Sequence, residues 1–304
     1  MLDIKTVQST NNVNIIGVLK ELQLEEKTSA DGSKQFVVGK ATIKVDQEIN
    51  GKLRECEIPV ELFANKLTKD GQPSKLYPIV LGYKEKLTSL AACPEDQPQL
   101  ASKVTVNGAD LSENVWWDTN SNSAKSSYKI RSNFINLYNG SADDFKQEAK
   151  FEVSGVILDT KPETDKEGIE TGRLQVLVAI VGYNGKVDTV PMIAESPSAV
   201  TFINSNWNQF DTVKIAGRIN MSHRVEKWEE PQGFGEPIVR QKTISCREFI
   251  ITSGSEAGLA EEYSYDTDDI KAGLAERKTR IEESKTKAPQ GRTQAPKTTT
   301  KYDW

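Results

Sequence analysis

The sequence predicts a mainly β protein: two successive small barrels, each of the order β-β-β-α-β-β, followed by a flexible C-terminal tail. Three observations lead there. Short stretches of alternating apolar residues are punctuated by turn dipeptides such as Asp31-Gly32 and Asn50-Gly51. The same series of events occurs twice, so residues 1–140 and 141–253 read as two copies of one unit. From Gly254 the composition turns polar and strongly charged, which marks residues 254–304 as a tail.

In the first copy, Val13 to Leu24 reads as a strand with Gly17 at the point where a barrel strand must bend to serve two neighbours. Phe36 to Val45 and Glu55 to Phe63 follow as strands two and three, and residues from Lys66 to Ser74 as a loop. Tyr77 to Ala92 has helical spacing at Val80, Tyr83, Leu87 and Leu90, with Pro94 ending it. Val104 to Trp117 is the next strand, Asp118 to Ser126 a polar loop, and Tyr128 to Leu137 the last strand.

The second copy repeats this order. Phe151 to Leu158 matches the first strand, with Gly155 standing for Gly17, and Leu174 to Val181 is strand two. Asn184-Gly185-Lys186 repeats Asn50-Gly51-Lys52, and Val190-Pro191-Met192 repeats Ile58-Pro59-Val60. Ser196 is an N-cap with Pro197 at the first helical position, opening a short helix to Asn208. Val213 to Gly217 aligns with Val104 to Gly108, and Glu248 to Ile251 with Asn133 to Asn136. Between them a long ribbon runs from Asp211 to Ser253, turning through Pro231, Gly233, Gly235 and Pro237.

In the tail, Glu256 to Ile270 holds six acidic residues and no basic one, whereas Lys271 to Lys301 holds nine basic against three acidic. The stretch from Asp266 to about Lys285 has helix propensity, with Asp266 or Asp268 as cap. Lys287 to Thr300, rich in Pro, Gly, Gln and Thr, is expected to be disordered.

Composition narrows the function. No apolar run reaches the roughly 18 residues of a membrane-spanning helix. The N-terminus lacks a basic and apolar secretory pattern, so a cytoplasmic location is expected. Cys56, Cys93 and Cys246 are widely spaced without a CxxC pair, and read as small apolar residues rather than metal ligands. Nucleotide-binding glycine loops, the GxSxG elbow and HExxH are all missing, and His223 is the one histidine. No enzymatic activity, cofactor or metal is therefore expected. A net charge of -5 argues against a uniformly basic coat for duplex DNA but not against a local basic groove.

The segment Phe210-Asp211-Thr212-Val213-Lys214-Ile215-Ala216-Gly217-Arg218-Ile219, with Gly155, Val190-Pro191-Met192 and the ribbon, resembles bacterial single-stranded-DNA-binding proteins of the OB-fold type. The resemblance covers both copies, and the tandem arrangement with a mixed-charge tail is similar to phage or mobile-element versions. It implies sequence-tolerant binding of single-stranded DNA, its protection, and recruitment of partners in replication, recombination or repair.

Such a groove needs aromatics interleaved with Lys and Arg across strands two and three and the adjoining loops. Copy one offers Phe36, Lys40 and Lys44 on one strand face, Lys52 and Arg54 past the turn, then Trp116, Trp117, Tyr128, Lys129 and Arg131. Adjacent Trp116 and Trp117 must point to opposite faces. Copy two offers Arg173, Tyr183, Lys186, Lys214, Arg218, Arg224, Lys227, Trp228, Phe234, Arg240 and Lys242, with Trp207 assigned to packing. By the same resemblance, Tyr302-Asp303-Trp304 would anchor replication or recombination proteins. Three other readings stay open: an OB-fold adaptor for protein partners, favoured by the 17 basic and 17 acidic residues of copy one, an RNA-binding module, and a carboxylate-dependent nuclease. Oligomeric state is open as well.

Overall fold

The computed structural model describes residues 2–49, 51–165, 167–230, 238–258 and 264–287, with the backbone alone for residues 52, 224–227, 229, 286 and 287. In chain order the strands are β1 (Asn11–Thr28), β2 (Gln35–Ile49), β3 (Lys52–Asn65), β4 (Lys103–Asp118), β5 (Ser123–Arg131), β6 (Asn136–Leu137), β7 (Glu148–Thr164), β8 (Glu170–Val181), β9 (Val187–Ala194), β10 (Thr212–Asn220), β11 (His223–Glu230), β12 (Ile238–Ser245) and β13 (Glu248–Gly254). The helices are α1 (Leu76–Leu81), α2 (Tyr83–Lys86), α3 (Pro197–Asn206) and α4 (Thr267–Lys287).

β1 sets the architecture because it bends. Val13, Ile15 and Leu19 alternate inward and are fully buried. Between them Gly17 passes so close to β2 that a Cβ would lie 2.4 Å from the Lys44 carbonyl oxygen. Up to Val18 the strand pairs with β4, and beyond it with β2. β3 extends the sheet antiparallel, β5 runs parallel to β3, and β4 returns to β1, so the pairings close a ring of five strands. β7, β8, β9, β13 and β10 repeat the ring, again with one parallel step, here between β9 and β13. Gly155 makes the corresponding bend, where a Cβ would lie 2.7 Å from the Ala179 carbonyl oxygen.

Register defines which residues are equivalent. Gly17 faces Val104 as Gly155 faces Val213, and Pro59 faces Thr42 as Pro191 faces Leu177. Both matches agree with the alignment read from the sequence. The other end does not: Arg131 sits beside Glu61 as Ile250 sits beside Ile193, so Glu248-Phe249-Ile250 corresponds to Lys129-Ile130-Arg131 and not to Asn133-Phe134-Ile135. The apolar doublet Phe134-Ile135 drew that alignment, but β5 has already ended at Arg131.

The rings are joined edge to edge. β1 pairs antiparallel with β7, and Val13 lies opposite Phe151, each the fourth residue before its bending glycine. The pair is therefore related by a local pseudo-twofold, and all ring strands belong to one eleven-stranded sheet. Each ring also reaches across the other. The Glu57 amide on β3 donates to the Met221 carbonyl oxygen at 2.8 Å. At the equivalent position the Thr189 amide on β9 donates to the Glu113 carboxylate at 3.3 Å.

Several sequence expectations change. The Tyr77–Ala92 helix is only α1 and α2, because Leu87 turns extended (φ -116°, ψ 134°) and 3₁₀ turns follow at Leu90–Ala92 and Pro98–Leu100. The Asp118–Ser126 loop is mostly strand: β5 starts at Ser123 and pairs with β4 through Trp117 opposite Ala124. The ribbon from Asp211 to Ser253 is two pieces, since among the described residues β11 and β12 pair only with each other and Met221-Ser222 and Cys246-Arg247 break them from β10 and β13. Nor is the tail free as far as Lys287. Asp266 caps α4, accepting from the amides of Asp268 and Asp269 at 2.8 and 3.3 Å, and Ile270 is fully buried.

Candidate nucleic-acid interface

The outer face of the first ring follows from strand parity. On β2, Val37, Ala41, Ile43 and Val45 turn inward, which leaves Phe36, Val38, Lys40, Thr42 and Lys44 outward. Facing them on β3 are Asn65, Phe63, Glu61, Pro59 and Glu57. Phe36 and Phe63 meet at 5.4 Å between ring centroids, and Phe63 remains 47% exposed. β5 brings Lys129 and Arg131 alongside, and the loop after it adds Phe134, 49% exposed, so that Lys40, Phe63, Lys129, Arg131 and Phe134 line one open cavity.

The charges here are partly spoken for. Glu61 holds Lys129 at 2.6 Å and Arg131 at 3.7 Å. Burial pushes the Asp110 carboxyl in the same cavity above its ordinary range, with Arg131 pulling the other way. Lys40 is exposed and has no ion pair among the described residues. Beyond Phe36, the β1–β2 turn and the loop after β3 place Lys34, Lys66 and Lys69 around a second opening. The Lys66 amide donates to the Gln35 carbonyl oxygen at 2.8 Å, making the two openings neighbours along β2 and β3.

Other candidates in the first ring line neither opening. Lys44 is held by Glu55 at 2.8 Å and Asp46 at 3.7 Å; its hydrogen bond to Glu55 leads the effects that raise its pKa. Arg54 lies in the junction between the rings, its Nε buried without a hydrogen-bond partner among the described residues. Tyr128 packs edge-on against Phe249 of the other ring at 6.1 Å, and burial raises its hydroxyl pKa. Trp116 is 40% exposed on β4, whereas Trp117 is half-buried with Lys285 of α4 over its ring at 4.9 Å. The Lys52 side chain lies outside the described residues.

In the second ring four of the six predicted cations whose side chains are described, Arg173, Lys186, Arg218 and Arg240, are engaged by acceptors within the protein. Arg173 is surrounded by Glu248 at 2.6 Å, Glu163 at 3.2 Å and Glu195 at 3.6 Å. Burial raises the Glu195 pKa. For Glu248 burial also works upward, but hydrogen bonds from Arg173 and Cys246 overcome it and the net shift is down. Arg218 donates to the Glu48 carbonyl oxygen at 3.1 Å, and Lys186 pairs with Asp188 at 2.8 Å. Lys214 and Lys242 are exposed, as is Tyr183 at 71%. On the ribbon, Trp228 is 49% exposed opposite Arg240, which pairs with Glu230 at 2.7 Å. The side chains of Arg224 and Lys227, and all of Phe234, Tyr302, Asp303 and Trp304, lie outside the described residues. Trp207 packs as expected, 5% exposed, its Nε1 donating to the Ser255 carbonyl oxygen at 2.9 Å.

Sequence reading missed Phe63, Phe134, Lys34, Lys66 and Lys69. Phe63 was legible, since it shares the outward parity of Glu57 and Glu61 in its strand. Phe134 was not, because it sits in an irregular turn that carries no periodicity.

The arrangement is one open face on which flat rings can stack and anionic groups can be neutralised side by side. It defines a mainly β protein of ring-closed strands with an aromatic and basic outer face on the first ring. The chain belongs to the YorF family, whose model matches residues 9–287. No curated protein matches it. Among solved structures it is similar to a deletion mutant of the single-stranded DNA binding protein from Thermus aquaticus, at 13% identity and a TM-score of 0.48, covering 82% of this chain and 95% of that one. It is also similar to a replication protein A heterotrimer bound to ssDNA, at 9% identity and a TM-score of 0.21, covering 93% of this chain and 56% of that one.

Proposed function

We propose that this protein binds single-stranded DNA with little sequence preference on the outer face of β2, β3 and β5. Exposed Phe63 and Phe134, with half-buried Phe36 beside Phe63, set among Lys40, Lys129 and Arg131 carry this reading. Bases would stack on the rings while the lysines and Arg131 neutralise phosphates, a mode indifferent to sequence because every base has a π-face. In this reading each ring is one OB unit, within residues 1–140 and 141–253, and residues 254–304 are an appendage. The protein acts without catalysis in the cytoplasm, protecting single strands and recruiting partners in replication, recombination or repair of a phage or mobile element. Tyr302, Asp303 and Trp304 would supply the partner contact.

The test is fluorescence anisotropy of a labelled oligo-dT over a salt series, with duplex DNA and single-stranded RNA as competitors and tryptophan emission followed in parallel. Salt-sensitive binding that resists the duplex supports the reading. No binding at low salt rejects it and favours an adaptor for protein partners, the alternative to which the ion pairs of Glu61 with Lys129 and Arg131 also point. Equal competition by RNA would widen the ligand class.

A further inference from the structure

We infer that the two rings are not interchangeable: the first holds the strand, and the equivalent face of the second is built over by the chain itself. The inference rests on the reading above and adds which ring binds, and therefore how many strands one chain holds.

The register makes the comparison residue by residue. With Thr42 equivalent to Leu177 and Pro59 to Pro191, the places of Lys40, Phe63 and Lys129 are taken by Gln175, Glu195 and Glu248. An exposed cation, a stacking ring and a second cation thus become an amide and two carboxylates. Those carboxylates enclose Arg173, which stands where the first ring has Val38. Three potential phosphate or base contacts are in this way lost, and two of their positions join Arg173 in one internal ion cluster.

Further along the same face the contrast is in solvation. Lys44, Asp46 and Glu55 of the first ring correspond to Ala179, Val181 and Val187. These three are buried in a separate apolar cluster with Ile4, Tyr265 and Ile270, so the N-terminal segment and α4 cover the face. α4 passes so close that a Cβ on Gly273 would lie 2.4 Å from the Val187 side chain. The first ring itself closes the remaining end. Its β2–β3 hairpin keeps pairing out to Ile49 opposite Lys52, whereas β8–β9 stops at Val181 opposite Val187. The longer hairpin carries Ile49 and Arg54 into the junction with Arg173, Glu195 and Glu248.

The experiment pairs two surface substitutions of equal charge change at equivalent positions, Lys40→Gln and Gln175→Glu, with Phe63→Ala as a second variant of the first ring. Folding of each is checked by thermal melting. Binding is measured by anisotropy with an oligo-dT of about eight nucleotides, within the range one OB unit spans, and stoichiometry by titration at concentrations well above Kd. Expected are one oligonucleotide per chain, a loss of roughly fivefold or more for Phe63→Ala and a clear loss for Lys40→Gln, with Gln175→Glu within about twofold of the parent. Two oligonucleotides per chain, or a loss for Gln175→Glu matching that of Lys40→Gln, would overturn the inference while leaving single-strand binding in place. Binding by the parent that none of the three variants weakens overturns it too, by moving the site off both faces. No binding by the parent removes the underlying function and the inference together.

Discussion

Arg277 on α4 grips Glu113 on β4 with two nitrogens, Nε at 2.7 Å and Nη2 at 2.6 Å from the two carboxylate oxygens. The Glu113 side chain is 2% exposed and also accepts from the Thr189 amide, so one carboxylate ties the helix, the first ring and the second ring together. Removing one partner of such a pair strands a charge in the interior, which costs more than the pair contributes. Arg277→Ala should therefore lower unfolding stability by about 3 kcal/mol or more in urea melts. The double variant Arg277→Met with Glu113→Gln should recover part of that loss. A single variant as stable as the parent would mean that α4 is not held at this point.

The bends at Gly17 and Gly155 give a second prediction. An added methyl at Gly17 would meet the Lys44 carbonyl oxygen at 2.4 Å and the Ile43 side chain at 2.7 Å; at Gly155 it would meet Val178 at 2.5 Å and the Ala179 carbonyl oxygen at 2.7 Å. Backbone atoms of a paired strand cannot move aside singly. Each Gly→Ala change should destabilise by about 1–3 kcal/mol, the range for overpacking, in the same denaturant assay. Unchanged midpoints would show that the rings breathe enough to absorb a methyl group at the bend.

How far these features were readable from residues alone differs between the rings. Strand order, both bending glycines and the two Pro-centred strands were legible because each is a local backbone requirement. So was the outward parity of Phe36 and Lys40, since β2 alternates cleanly around Val37, Ala41 and Ile43. In β8 the run Val176-Leu177-Val178-Ala179-Ile180-Val181 has no alternation, which is the mark of a strand covered on both faces. That signal was present, but naming the cover required knowing that Ile4, Tyr265 and Ile270 come together, and they lie at opposite ends of the chain. The ion cluster around Arg173 was hidden for the same reason: its three carboxylates arrive from β7, from the residue just after β9 and from β13, and no spacing in the sequence links them.

Cys246 supplies a prediction about reactivity. Burial, reinforced by the neighbouring Glu248 carboxylate, pushes its thiol up to about 12. The reactive species is the thiolate, so at pH 8 only about one molecule in ten thousand would carry it. Iodoacetamide labelling followed by peptide mass spectrometry should find Cys246 alkylated at least about a hundredfold more slowly than glutathione at that pH. As pH rises toward 12 the rate should climb without a plateau near 8.5, where an ordinary thiol levels off. Labelling at the glutathione rate would show that the junction holding Arg173 and Glu248 opens readily in solution.

The last prediction separates stacking from charge on the proposed face. Phe63 offers a ring and no charge, whereas Lys69 lies at the far opening with Lys34 and Lys66 and offers charge alone. Loss of a stacking ring costs about 1–3 kcal/mol per base and displaces no counterion. Loss of a phosphate contact removes about 0.7 from the slope of log K against log salt for a single strand. Phe63→Ala should therefore lower affinity for oligo-dT by a similar factor at every salt concentration, leaving the slope unchanged. Lys69→Ala should flatten the slope by about 0.7 and lose its effect at high salt. If Lys69→Ala leaves the slope intact, the strand does not reach the second opening and its footprint ends at Phe36 and Phe63. If instead Phe63→Ala flattens the slope, the ring acts by positioning Lys129 and Arg131 through Glu61, its neighbour two residues along β3, and the face reads phosphates rather than bases.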